Sequence, residues 1–171
     1  SEEDQCYPDP ESPGIEKATF EDGTVFPKNW MVDVTKPGFR LPTELEWEFA
    51  CRSGTRTAYS FGSDRQLLRH YGWFVDNSSK VTHVGGQLRP SIGGLFDIHG
   101  NVLEWCNDWM AEYPSADNPD PLKGLPGTVR IYRGGAWDSG DNRGRSARRD
   151  ATRPSTRLAD CGIRLVRTIV R

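Results

Sequence analysis

Four cysteines, three histidines and one arginine-rich stretch are the first places to look for chemistry in this chain. Cys6, Cys51, Cys106 and Cys161 lie 45 to 55 residues apart, with no CxxC pair and no Cys/His cluster at zinc spacing. One or two disulfides and buried free thiols both fit that pattern. His70, His83 and His99 are equally scattered, which suits hydrogen-bonded core or surface residues better than metal ligands. The segment from Trp137 to Arg149 is denser. Its Trp137, Asp138, Ser139, Asp141, Asn142, Arg143, Arg145 and Arg149 combine an indole that can stack with guanidinium and carboxylate groups that hydrogen-bond in pairs, so together they could grip a polypeptide or a small anion. The competing reading places Trp137 in the core and uses the arginines to buttress loops. For Trp137 the core reading is favoured, while Asp138, Ser139, Asp141, Asn142 and Arg143 are expected to be exposed.

Composition narrows the setting for these residues. A chain of 171 residues suits one domain, and only 35% of it is hydrophobic, yet it carries six Trp, seven Phe and five Tyr beside 18 Gly and 12 Pro. A core of a few large rings wrapped in loops fits those counts better than a leucine-rich bundle. The net charge of −2 argues against nucleic-acid binding, which needs a basic excess. From Arg130 to the end there are eleven Arg, four Asp and no Lys. Arg in such excess suits planar pairing with carboxylates, and internal Arg–carboxylate pairs are favoured over a site for an anionic ligand. No run of about 18 apolar residues occurs, and the polar start SEEDQCYPDP is not a signal peptide. The expectation is a soluble protein without a membrane partner, with the cytoplasm slightly favoured over secretion.

The elements that must position these side chains are short. Residues 1–38 read as an irregular lead-in belonging to the same domain, apart from a brief alternation at Thr24–Phe26. Thr43 and Glu46 form a capping box that opens a helix of about ten residues, in which Leu45 with Phe49 and Trp47 with Ala50 and Cys51 supply apolar contacts before Gly54 ends the run. Asp64 is the candidate N-cap of a second short helix that runs to Tyr71. Tyr71–Phe74 and Val81–Val84 are extended candidates, and Gly93–Ile98 leads into a turn at His99-Gly100-Asn101. Val102–Cys106 reads as a half-buried strand, followed by a Pro-rich surface loop over 114–126. Val129–Arg133 and Gly162–Arg167 read as strands, the second alternating with period two.

Four segments, in order, carry a resemblance. GFRLPTELEWEFACRSGT (Gly38–Thr55), GGLFDIHGNVLEWCNDW (Gly93–Trp109), VRIYRGGAWDSG (Val129–Gly140), and RSARRD (Arg145–Asp150) with CGIRLV (Cys161–Val166) are similar to the formylglycine-generating enzyme, or sulfatase-modifying factor, family. The resemblance implies an α+β, C-type-lectin-like domain: irregular, with small antiparallel sheets, few short helices and long loops. Residues 39–171 then correspond to the C-terminal part of such a domain, with its N-terminal part missing. That missing half, or another chain, becomes a candidate partner.

The resemblance also implies chemistry. Active relatives bind copper through two closely spaced cysteines between the Gly-Gly motif and the Ala-Arg motif, a soft ligand pair suited to Cu(I). Here the stretch Trp137–Ser146 has no cysteine, and Cys161 comes too late, so copper is not expected. Asn101, Val102 and Glu104 stand where relatives hold a structural calcium, which takes oxygen ligands. The plainer alternative has Asn101 in a left-handed turn and Glu104 paired with an Arg. The segment Trp137–Arg149 corresponds to the family's surface pocket. The function expected is a non-catalytic binding module that recognises a protein or small ligand through this C-terminal loop face. The alternative is an oxidoreductase, of the formylglycine-generating or sulfoxide-synthase type, that needs a missing segment or partner.

Overall fold

The computed structural model of the chain describes residues 5–19, 23, 25–27, 32–112 and 128–169. The Pro-rich loop expected over 114–126 lies outside them. Among the described residues, α1 (Glu44–Arg52) is the one α-helix, beside 3-10 helices at Arg65–His70 and Asp141–Gly144. The strands are β1 (Lys17–Thr19), β2 (Val25–Pro27), β3 (Phe39–Arg40), β4 (Leu103–Trp109), β5 (Arg130–Arg133), β6 (Asp150–Thr152), β7 (Cys161–Gly162) and β8 (Val166–Arg167). The expectation of few helices and small sheets holds.

α1 begins where its capping chemistry says it should. The Thr43 side-chain oxygen accepts from the Glu46 N–H at 3.1 Å, and the Glu46 carboxylate accepts from the Thr43 N–H at 2.8 Å. Glu46 also holds Arg40 of β3 through two bonds of 2.6 and 2.7 Å. The helix ends on a left-handed Ser53. Its buried face is Glu44, Trp47 and Cys51, whereas Leu45 and Phe49 are 65% and 76% exposed, so that pair does not supply core contacts. The i, i+3, i+7 stripe that meets β4 and β5 includes a carboxylate, which an apolar-only reading of the helix passes over.

β4 anchors the main sheet, whose order is β6-β5-β4-β7. It runs antiparallel to β5, with a register irregularity between Trp105 and Trp109, and parallel to β7. β1 and β2 pair antiparallel, as do β3 and β8. The single strand expected over Gly162–Arg167 is therefore two. β7 joins β4, β8 joins β3, and Arg164 between them turns inward to Glu104 while Ile163 and Leu165 stay exposed. Tyr71–Phe74 and Val81–Val84 are not strands either. Turn-type backbone bonds, the Asn101 N–H bond to Trp73 O at 2.9 Å, and the Asn101 side chain bonded to both backbone groups of His83 stand in place of a ladder.

Two clusters make the core. Trp47, Cys51, Ile98, Cys106 and Ile131 pack between α1 and the sheet, and Tyr59, Leu68 and Phe74 pack under the first 3-10 helix. Glycine is required where the second cluster meets the loop face. A β-carbon on Gly144 would stand 2.6 Å from both the His99 carbonyl oxygen and the Phe74 ring.

Candidate loop face and its supporting charge lattice

Cys51 and Cys106 share the core cluster between α1 and the sheet. All four cysteines are free, three of them buried and Cys161 half-buried. Burial pushes the Cys51 thiol up to about 11 and Cys161 up to about 12, and raises Cys106 as well, so each is a protonated thiol at neutral pH. Cys51 lies 3.9 Å from His99 Nδ1, but that histidine is not an activating base. Its ring nitrogens reach the Gly144 carbonyl at 2.8 Å and the Ser60 N–H at 3.1 Å, and burial lowers it to about 4. It is a neutral, satisfied core histidine. Among the described residues, no group of three or more His, Cys, Asp or Glu side chains is placed to hold a metal.

The arginines of β5 and of the C-terminal third are largely internal braces. Arg133, with a fully buried side chain, donates to Glu48 on α1, to the Arg148 carbonyl at 2.6 Å and to the Ser146 carbonyl at 2.7 Å, and lies 3.4 Å from Glu44. Arg149 holds both Glu44 oxygens at 2.6 and 2.7 Å. It therefore belongs to this lattice and not to an open face. Asp108 on β4 takes the Glu44 N–H at 2.8 Å, tying the N-terminus of α1 to the sheet, and burial raises its carboxyl to about 6.

Two of the three residues considered for calcium, Glu104 and Asn101, are engaged in the same way. Glu104 is buried, with one oxygen bonded to Trp47 Nε1 at 2.7 Å and both held by Arg164 at 2.8 and 2.6 Å. Asn101 has φ 76°, and its side-chain amide is used at both ends by His83. The carboxylate is neutralised by a guanidinium, so this donor set as folded does not fit a hard cation that needs six or more oxygens. It fits the plainer reading of a left-handed turn and an Arg–Glu pair.

The loop face is different. Asp138, Asn142, Arg143 and Arg145 are exposed, and Ser139 and Asp141 half-buried. Trp137 is half-buried and clamped through its backbone: its N–H bonds the Asn101 carbonyl at 2.9 Å, and its carbonyl accepts the Ser78 hydroxyl at 2.6 Å. Its indole N–H, however, is buried without an acceptor among the described residues. Ser139 closes its own turn by accepting from the Ala136 N–H at 2.8 Å. Asp160 beside the face has its carboxyl raised, first by burial and then by the negative charge of Asp138. Asp141 pairs with Arg65, and both line a cavity of about 770 Å³ with Arg69, His70, Trp73 and Asp76. None of these four was assigned to a ligand site from the sequence. The only local hint was the N-cap at Asp64, which places Arg65, Arg69 and His70 on one short helix.

The chain is 30% identical over 178 residues to the formylglycine-generating enzyme of Thermomonospora curvata, covering 91% of this chain and 59% of that protein. It is 31% identical over 137 residues to the serine/threonine-protein kinase pkn1 of Chlamydia pneumoniae, covering 77% of this chain but 21% of the kinase. Among solved structures, Treponema denticola variable protein 1 is similar with a TM-score of 0.75 and 36% identity, over 83% of this chain and 52% of that one. The chain thus spans well under two thirds of the relatives it matches, and its few helices, small sheets and long loops make the C-type-lectin-like α+β fold. Residues 9–169 match the Sulfatase-modifying factor enzyme 1-like domain, and with that match, and the four ordered segments now placed around one charge lattice, the chain belongs to the sulfatase-modifying factor family.

Proposed function

We propose that this domain is a binding module that recognises a protein or small ligand through the face formed by Trp137, Asp138, Ser139, Asp141, Asn142, Arg143 and Arg145 together with the adjoining cavity. One observation carries this reading: the segment Trp137–Ser146 has no cysteine, and the cysteines elsewhere are free, with burial raising the thiols of Cys51, Cys106 and Cys161. Family membership leaves function open, because a fold hosts many activities and the site decides among them. The braced lattice beneath supplies a rigid support, and the exposed polar side chains above it supply contacts at little cost to stability. Glycine-bounded loops on such a scaffold suit recognition.

Two measurements test the proposal. Incubated with copper, dioxygen and a cysteine-containing peptide, the purified chain is expected to leave the peptide unchanged. Conversion of the cysteine to an aldehyde, read by mass spectrometry, would establish the oxidoreductase reading instead. A random peptide library selected on the folded chain is expected to yield binders that lose affinity when Asp138, Asn142 and Arg143 are changed to Ala. Binders indifferent to that change would place recognition elsewhere.

A further inference from the structure

A second cavity, of about 410 Å³, lies away from the loop face and includes none of its residues. Tyr7, Leu41, Trp105, Trp109 and Arg130 are among its walls. Its volume is in the range of small-molecule sites, and its lining is dominated by aromatic and aliphatic groups, with few polar ones. Asn107 is polar, and Arg130 is the charged residue of the lining. Its guanidinium lies 3.8 Å from the centre of the Trp109 ring and donates to the Asn107 carbonyl.

Arg130 also stands apart from its neighbours in sequence and space. The enclosed guanidinium groups of Arg40, Arg133, Arg149 and Arg164 each meet a carboxylate. Arg130 has no salt bridge among the described residues. Burial lowers it to about 10, so it remains a cation at neutral pH, and Asp108 acts on it only at longer range, with one oxygen committed to the Glu44 N–H. A partly desolvated cation in an apolar recess is costly unless an anion completes it. The ring of Trp109 compensates in part, by cation–π attraction. The N–H donors of Arg130 beyond the one given to Asn107 have no acceptor among the described residues, and they lie at the edge of an open space walled by indole and phenol rings.

We propose that this cavity binds a carboxylate attached to an aromatic or apolar body, the carboxylate pairing with Arg130 and the body lying between Tyr7, Trp105 and Trp109. The anion could belong to a small free acid or to the C-terminus of a polypeptide. The two have the same recognition chemistry.

The test compares phenylacetate with phenylacetamide, which share a shape and differ in charge, by NMR titration of the folded chain while following the indole N–H signals of Trp105 and Trp109. Phenylacetate should bind saturably, roughly tenfold more tightly than the amide, and shift those two signals. Arg130→Met should bring acid and amide to equal affinity, and Arg130→Lys should retain part of the preference. If Arg130→Met does not fold, Trp105→Ala serves: it should weaken both ligands while the peptides bound at the loop face are unaffected. The tripeptide Ala-Ala-Phe with a free C-terminus separates the sources: tighter binding than phenylacetate assigns the site to a polypeptide end, weaker binding to a free acid. Equal affinity of acid and amide for the unmodified chain, shifts confined to other tryptophans, or no saturation at millimolar concentration would each overturn the proposal. Loss of binding at the loop face alone would leave it standing.

Discussion

Arg133 and Arg143 flank the same turn-rich segment, yet one is sealed beneath α1 and the other points into solvent. The first meets Glu48 and two backbone carbonyls with no access to water, and the second lies 3.7 Å from Asp150 at the surface. Identical chemistry therefore has two uses. Where solvent is excluded, a guanidinium that loses its partner leaves an uncompensated charge, so the pair specifies the packing of α1 on the sheet. Where solvent is present, the same group is nearly neutral for stability and available to a ligand. The lattice is a scaffold, and the loop face is what it displays.

The sharpest way to break this contrast is Arg133→Met. It should destabilise the chain by about 3–5 kcal/mol in denaturant unfolding, because Glu48 and two carbonyls lose a buried partner. A loss below about 1 kcal/mol would mean that the lattice is decorative.

Acid titration sharpens the comparison next. His99 titrates near 6.5 when unfolded and about 4 when folded, so the unfolded state takes up its proton first and stability falls as pH drops from 6.5 to 4. Asp108 acts in the opposite sense. Its folded value of about 6 exceeds the unfolded 3.8, so protonation between them favours the folded state and its contribution grows as pH falls. Each group contributes a slope of up to about 1.4 kcal/mol per pH unit within its window. Asp108→Asn should therefore steepen the acid loss between pH 6 and 4, and His99→Gln should flatten it. Unchanged slopes in both variants would contradict the burial described for these side chains.

Smaller effects follow at the seam between the two regions. Gly144→Ala should cost about 1–3 kcal/mol, since its β-carbon would collide with the His99 carbonyl and Phe74. Calcium should leave the unfolding temperature unchanged, because Arg164 already neutralises Glu104, and a clear rise on adding calcium would show that the ion displaces that pair. The least effect belongs to the face. Asp138→Ala, Asn142→Ala and Arg143→Ala should each shift stability by within about 0.5 kcal/mol, a change readable by the same unfolding assay.

Much of the local structure was legible in the sequence. Thr43 with Glu46 announced α1, and Asp64 announced the cap of the first 3-10 helix, because capping bonds join residues two or three positions apart. The excess of Arg over Lys pointed to planar pairs with carboxylates. Leu45 and Phe49 misled, because their pattern resembles a core stripe and no local signal says that Glu44 faces inward. Gly162–Arg167 misled as well, since its alternation suits one strand while its two ends pair with β4 and β3.

Residue identities alone settled the family, the cap of α1 and the lack of cysteine between Trp137 and Ser146, because each depends on neighbours in the chain or on what atoms are present at all. Which arginines face solvent, which carboxylate completes each of them, and which guanidinium is left beside an aromatic cavity depended on chain segments far apart in sequence coming into contact. Desolvation is a property of the packed surroundings and not of the residue, so the same Arg acquires its role only once those surroundings exist.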